Sequence, residues 1–535
     1  MGANSSTIPV DGRSTVHRPG CDDERMSATA RRLGLPLAGL LAFLSAGSVL
    51  VLEIAAGRLL APYVGVSLTT YTGIIGVILA GIALGAWVGG RAADLYGPLP
   101  LLGPTFILGG IGAMASIPIV DAVGAAGMGE GIGAIVLLSA IGFALPATTL
   151  SAIAPMVVRA TIVDIATSGS LVGRLSAAGT LGAISGTFVT GFFLLGTFPT
   201  RTIILATGVL LVLVGLGLVW WSRPRGVASA DDGPGPGITL AAVLVGLAVV
   251  GGAVAVVPNP CERESAYYCI RVVEGGSRES GRTLMLGQLR HAYVDLDDPN
   301  YLEFAYIRWF DLAVRPVADR TGGDFDGLHL GGGGFTFPRH LAAAYPHSHH
   351  TILELDPIVH ATAVEELGLE PSPSLDIVLG DARPSVERLP ADAYDVVMGD
   401  AFGSLSVPWH LTTDQFLGEL DRVLRPDGRY VMNLIDGPAV SFVRAETKTV
   451  ASRFESVAVM ARPGAFDGID GGPGGGGNVV IVASHEPIDT DSLAAAAEAS
   501  ALRVRIVTGD DLAGFIGNAP FLRDDYAPVD QLIGR

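Results

Sequence analysis

GLHLGGGGFTFPRHLAAAYPHSHHTILELDP, running from Gly327 to Pro357, decides how the C-terminal half of this chain is read. Leu328 to Leu330 form a short apolar run, four glycines follow, and a helix is expected from about Phe337. That is the layout of a nucleotide-binding βα turn, because glycines at 331–334 let backbone N–H groups approach a ligand that any Cβ would hold off. A second apolar run, Thr351 to Leu355, carries Glu354 about 20 residues beyond the glycines, where an acid can accept both ribose hydroxyls. A nucleoside-type ligand is the expectation.

Working outward, the chain of 535 residues exceeds one ordinary domain. A mean hydropathy of +0.49 with 16% charged residues points to several membrane spans. Charge is unevenly divided: from Pro258 onward 41 acidic residues face 22 basic ones, whereas residues 1–257 hold 11 and 12. The C-terminal half is therefore an acidic soluble unit, and nucleic acid is excluded as a partner. Three cysteines, Cys21, Cys261 and Cys269, make neither a disulfide framework nor a zinc site by spacing, and no metal is expected.

Residues 1–32 read as a disordered polar leader without the apolar core of a signal peptide. Residues 33–257 read as a transmembrane domain of about seven helices, at roughly 34–56, 70–90, 100–120, 131–157, 176–197, 202–221 and 237–257. Small residues such as Gly81, Gly85, Gly182 and Gly186 permit close helix packing. Glu53 is either a functional intramembrane acid or a structural partner of Arg58. Arg31, Arg32, Arg91, Arg159, Arg174, Arg223 and Arg225 fall on one side against Arg58 and Arg201, so the N-terminus is expected in the cytoplasm. Seven spans then put the C-terminal domain outside, and one helix more or fewer would reverse this.

Residues 258–320 read as a small β-rich region followed by a helix at 301–315. Residues 321–535 alternate strand and helix, with strands at 328–330, 351–355, 375–379, 394–399, 429–435 and 478–484, which implies a mainly parallel doubly wound sheet. A glycine-rich loop spans Gly464 to Gly477. The fold class is thus an α-helical multi-span membrane domain followed by an α/β Rossmann-like domain with a small N-terminal β-strand region. Successive strand ends offer the glycines, Glu354, then Asp381 with Ala382, then Asp400. Ligands of open α/β sheets bind at that edge, although a strand-end Asp such as Asp381 is also the residue type that caps a following helix.

Residues 260–535 resemble the spermidine synthase (aminopropyltransferase) family, whose Rossmann-like fold uses S-adenosylmethionine derivatives. The whole chain resembles the form in which a multi-span segment precedes such a domain, through LEIAAGRLLAPYVGVS at 52–67, DAFGSLSVPWHLTTDQF at 400–416 and DDYAPVDQL at 524–532. The resemblance implies that Gly331, Gly332 and Gly333 form the cofactor loop and that Glu354 is the ribose acid. It makes Asp381 and Ala382 the adenine-contacting pair, Asp400 the general base and Tyr306 a tyrosine beside the reacting centre. Four positions depart from the family pattern: Gly334 and Gly403 replace aspartates, Ile307 replaces His or Gln, and His291 stands where glutamine is usual. The lost groups are those expected to hold a cationic amine.

The expected activity is aminopropyl transfer from decarboxylated S-adenosylmethionine, or use of S-adenosylmethionine itself, toward a small-molecule amine. The chain would be integral to the cell membrane, and a homo-oligomer is compatible with it. An S-adenosylmethionine-dependent methyltransferase and a non-catalytic nucleoside-sensing transporter are the alternatives.

Overall fold

A computed structural model describes residues 33–127, 131–162, 168–222, 236–403, 406–466 and 477–533. The expected leader, the polar loop that carries Arg223 and Arg225, and most of the glycine-rich loop lie outside the described residues. Among the described residues, six helical segments are long and apolar enough to cross a membrane: Leu35–Val64, Leu68–Tyr96, Pro98–Ala125, Ile132–Thr161, Ser168–Thr197 and Thr200–Trp221. A further apolar helix, Pro236–Val256, stands at the place of the seventh expected span. The chain thus has the helices of a multi-pass membrane protein.

Small residues set the packing of this bundle. A Cβ on Gly182 would lie 2.1 Å from the Phe43 carbonyl oxygen, and one on Gly85 would lie 2.2 Å from that of Thr148. Helix Ser168–Val189 therefore lies directly on the first helix, and the second helix lies on the fourth, as the glycine spacing suggests. Glu53 and Arg58 do not pair. Arg58 instead donates to the backbone carbonyls of Ser265 and Ala266, beyond the last helix, so the expected local pair is replaced by a contact between the bundle and the soluble domain. Asp121, which the sequence reading passed over, is buried between Arg201 at 2.5 Å and the Tyr63 hydroxyl at 3.0 Å. Such pairing is what an ionised carboxylate needs inside an apolar bundle.

The soluble domain opens with an antiparallel four-stranded sheet, β1 (Arg263–Glu264), β2 (Cys269–Glu274), β3 (Gly281–Leu286) and β4 (Leu289–Asp295), in that order. Cys261 and Cys269 are joined by a disulfide at its start. The main sheet contains β5 (Asp326–Leu330), β6 (His349–Glu354), β7 (Leu375–Leu379), β8 (Tyr394–Gly399), β9 (Leu424–Asp436), β10 (Ser456–Ala461), β11 (Gly477–Ser484) and β12 (Arg505–Val507), in the order β12-β10-β11-β9-β8-β5-β6-β7.

Strands β7, β6, β5, β8 and β9 pair in parallel, and β11 runs antiparallel between β9 and β10. The sheet is therefore doubly wound at its centre but mixed at one side, a refinement of the mainly parallel expectation. The sequence pattern does not mark strands β1, β4, β10 and β12. β12 is only three residues long, and tertiary pairing rather than local pattern defines it. Side chains alternate across the sheet: Leu328, Leu330, Val397 and Met432 pack under helices Asp414–Val423 and Ser441–Val450, while Val396, Met398 and Val431 pack under Ala305–Thr321. The small sheet lies on helix Pro357–Glu366 through Ile270, Leu284, Val294 and Val359.

The soluble domain meets the end of the bundle opposite Leu35. Arg58 stands near the C-terminal end of the first helix, and Thr200, the first residue of the sixth, donates its backbone N–H to Glu264 at 2.8 Å.

Candidate active site

Chain order reverses between β5 and β8: from β5 the sheet grows through β6 and β7, then returns to add β8 and β9 on the other side. The loops leaving β5 and β8 must diverge, and the crevice between them is where open α/β sheets bind ligands. Gly331 leaves β5 at φ +95°, and a Cβ there would lie 2.7 Å from the Asp400 carbonyl oxygen. Glycine is required at this point by both the conformation and the closeness of β8. The turn ends on Phe335, fully buried at φ +55°, a left-handed conformation held by its own N–H donating to Gly332 O at 2.7 Å.

Glu354 ends β6 and reaches back to this loop. Its Oε2 accepts from the backbone N–H groups of Gly332 and Gly333 at 2.9 and 3.0 Å, and its Oε1 accepts from Asp356 N at 2.8 Å. Burial pushes its carboxyl up, against the three backbone N–H groups that pull it down. Each carboxylate oxygen can accept more than one hydrogen bond, so these contacts leave acceptor capacity toward a ligand.

Asp381 follows β7 and caps helix Ala382–Val386, accepting from Arg383 N at 2.9 Å, so the capping role allowed by its residue type is met. Its other oxygen lies 3.2 Å from His410 Nε2. Ala382 is buried beside it.

Asp400 at the tip of β8 is the most elaborately held group. Its Oδ2 accepts from the Tyr306 hydroxyl at 3.0 Å, and its Oδ1 accepts from Asn433 Nδ2 at 2.8 Å. Burial raises its carboxyl to about 6, with the two hydrogen bonds restraining the rise. Tyr306, in the first turn of its helix, has its phenol pushed well up by burial and by the Asp400 charge, so it stays a donor. Asn433 on β9 in turn accepts from Asn478 Nδ2 at 3.1 Å.

Gly331, Gly333, Glu354, Asp381, Ala382 and Asp400 line one cavity of about 90 Å³. Tyr306 and Gly332 join Gly331, Gly333 and Asp400 around an adjoining space of about 40 Å³. The eight residues singled out in the sequence therefore converge on two neighbouring spaces. His291 of β4 borders both, and burial lowers its imidazole to about 4, so it is neutral at physiological pH.

Sequence reasoning missed Asn433, His410 and Tyr268. Asn433 carried a signal, being a single amide inside the apolar strand YVMNLID. Tyr268, whose hydroxyl donates to Phe402 O at 2.7 Å, carried none, because the contact spans 134 positions. Among the described residues no cluster of His, Cys, Asp and Glu could hold a metal.

One of the departures has a local reason. A Cβ on Gly334 would lie 2.7 Å from Ala292 Cβ, so the small sheet occupies the place of an aspartate side chain. At Gly403, among the described residues beyond its chain neighbours, the same atom would have Ser406 O at 3.8 Å and Pro408 Cγ at 3.9 Å, which are ordinary contact distances.

No protein-family model matches the chain. Among curated proteins, a polyamine aminopropyltransferase from Vibrio vulnificus (strain CMCP6) is 38% identical over 145 residues, covering 26% of this chain and 46% of that protein. A probable polyamine aminopropyl transferase from Bifidobacterium longum (strain NCC 2705) is 30% identical over 145 residues, covering 27% and 31%. The chain thus spans less than half the length of either relative. Among solved structures, a probable spermidine synthase from Corynebacterium glutamicum ATCC 13032 aligns at 24% identity with a TM-score of 0.45, over 49% of this chain and 95% of that one. A spermidine synthase in complex with the transition-state analogue AdoDATO aligns at 15% identity with a TM-score of 0.32, over 49% and 79%. The resemblance to the spermidine synthase family carried by the motifs is carried also by the two curated relatives.

Proposed function

We propose that the soluble domain transfers the aminopropyl group of decarboxylated S-adenosylmethionine to an amine. The carrying observation is Asp400, whose carboxyl is raised to about 6 while fixed at both oxygens by Tyr306 and Asn433, beside the glycine loop and Glu354. A carboxylate in that range is ionised at neutral pH yet basic enough to take a proton from an attacking amine. The similarity to curated aminopropyltransferases supports the same chemistry.

In this reading Gly331 to Gly333 and Glu354 seat the nucleoside, with Glu354 accepting from the ribose hydroxyls and Asp381 with Ala382 bordering the base. The amine nitrogen attacks the aminopropyl carbon bound to the sulfonium. A C–N bond forms as the C–S bond breaks, the sulfur leaves with the electron pair as a neutral thioether, and Asp400 takes the amine proton. Tyr306 and Asn433 keep the carboxylate aimed at the nucleophile. Neutral His291 offers one donor and one acceptor, and no charge, to the groups beside it.

The test is turnover of the purified full chain with decarboxylated and with intact S-adenosylmethionine. Asp400→Asn should lower aminopropyl transfer by about 10²–10⁴ and leave co-substrate affinity nearly unchanged. Methyl transfer from the intact compound, with no aminopropyl product, would replace this reading by a methyltransferase.

Independently of that chemistry, we infer from charge placement that the domain lies on the side opposite the cytoplasm. Arg91, and Arg159 beside Asp94 at 3.3 Å, lie toward the bundle end that holds Leu35, whereas Arg58 and Arg201 at the opposite end are taken up by the soluble domain and by Asp121. The positive-inside rule then sets the Leu35 end in the cytoplasm. The Cys261–Cys269 disulfide at the soluble domain's start fits an oxidising compartment.

A further inference from the structure

Among the described residues, a cavity larger than the proposed nucleoside space adjoins it. It measures about 370 Å³ and lies between the end of the first membrane helix and the small sheet. Its bundle side is lined by Ala61, Val64 and Val66 together with Arg58, and the soluble domain contributes Leu286 and Leu289 beside Gln288. Tyr268, Leu286, His291 and Gly403 line both this cavity and the nucleoside space, so the two adjoin. Gly403 stands at the junction, and among the described residues beyond its chain neighbours the nearest atom to the position of a Cβ is Ser406 O at 3.8 Å. An aspartate at this place would add a carboxylate to the junction of the two spaces, whereas glycine adds no side chain.

The two charged side chains of this cavity each have a backbone partner. Arg58 donates to Ser265 O and Ala266 O, and Glu264 accepts from Thr200 N. Glu264 is the one carboxylate among the lining residues, and the Arg58 guanidinium shares its wall. A diamine entering here would bring a second ammonium that has to leave water, and the one carboxylate of the lining, Glu264, already has its charge opposed by the Arg58 guanidinium on the same cavity. An apolar body loses nothing by that environment, and the volume falls within the range of roughly 300–1,000 Å³ that receives drug-sized ligands. The wall is also tied to the site. Ser265, which Arg58 holds, donates its hydroxyl to Asp356, and Asp356 N donates to Glu354.

We propose that this cavity is the acceptor subsite, and that it takes an amphiphilic monoamine whose apolar body rests against the end of the first membrane helix while its amino group passes Gly403 and His291 to Asp400. The proposal rests on the aminopropyl-transfer reading and names its acceptor class. Such an acceptor could be a free long-chain amine or the amino headgroup of a lipid, since both join a primary amine to an apolar body.

The experiment uses the full chain reconstituted in vesicles, with decarboxylated S-adenosylmethionine and one of three acceptors: putrescine, dodecylamine in phosphatidylcholine vesicles, or phosphatidylethanolamine vesicles. Products are read by mass spectrometry, and the wild type is compared with Val66→Trp, which fills the cavity at its bundle side away from Asp400. Transfer to dodecylamine or to phosphatidylethanolamine should exceed transfer to putrescine by at least about tenfold in kcat/KM, and Val66→Trp should lower it by about tenfold with co-substrate affinity unchanged. The responding vesicle identifies the source of the amine. Preference for putrescine, unaffected by Val66→Trp, would overturn the subsite and leave aminopropyl transfer standing. Absence of transfer to every amine would remove the reaction itself and the subsite with it.

Discussion

Asn433 donates its side-chain amide to Asp400 at 2.8 Å across two adjacent parallel strands. It is only 1% exposed, and its position on β9 is fixed by its own hydrogen bond from Asn478. A hydrogen bond given to a carboxylate favours the ionised form, so Asn433 holds the Asp400 carboxyl below the value burial alone would set. The expected consequence is an acid limb near pH 6 in the rate of transfer, the active form being ionised. In Asn433→Ala that limb should move upward by about one to two pH units, since a hydrogen bond to a charged group contributes about 1.5–3 kcal/mol. The profile of kcat/KM against pH measures it. An unmoved limb in a folded variant would show that Asp400 is not the titrating base.

Glu354 both braces the glycine loop and faces the nucleoside space, so its removal should act twice. Glu354→Ala should weaken nucleoside binding by more than about tenfold, because two charge-assisted hydrogen bonds to a ribose contribute about 1.5–3 kcal/mol each. Calorimetry with decarboxylated S-adenosylmethionine reads the affinity. Wild-type affinity in this variant would remove the cofactor-site assignment.

Restoring the two missing aspartates should have opposite results. Gly403→Asp has Ser406 O, at 3.8 Å, as the nearest atom to its Cβ among the described residues beyond its chain neighbours, and it places a carboxylate where an incoming diamine can use it. Its kcat/KM for putrescine should rise by about tenfold or more, the scale of one charged pair in a partly desolvated place. Gly334→Asp forces its Cβ to 2.7 Å from Ala292 and 3.3 Å from Val294 Cγ2, so it should lose about 1–3 kcal/mol of stability. Thermal unfolding distinguishes the two variants. Equal stability with no gain toward putrescine would break the argument.

The disulfide gives a readout of sidedness. In intact cells, Cys261 and Cys269 should be labelled by a membrane-impermeant thiol reagent only after treatment with an impermeant reductant. Labelling that needs cell lysis and no reductant would place the soluble domain in the cytoplasm.

The sequence by itself determined the classes of structure. The apolar lengths set the membrane helices, because a span needs about 20 apolar residues whatever it packs against. The alternation of apolar runs and helices fixed the central strands within a few residues, and β7 and β8 agree with the expected 375–379 and 394–399 at both ends. Gly331, Glu354 and Asp400 were legible because each follows a strand in series, and strand ends of a parallel sheet share one edge. Tertiary structure alone decided what those residues touch. Tyr306 lies 94 positions from Asp400 and Asn433 lies 33 away, so no local pattern couples them. Ala292 fills the space beside Gly334 only because the small sheet folds over the loop. Arg58, whose nearest acid in the sequence is Glu53, finds carbonyl partners more than 200 positions away because the soluble domain docks on the end of the bundle. Short-range periodicity records which face of an element is apolar, and long-range contacts arise when elements pack. The residues proposed to seat a nucleoside were therefore visible in the chain, whereas the orientation of Asp400 and the cavity behind it came only from packing.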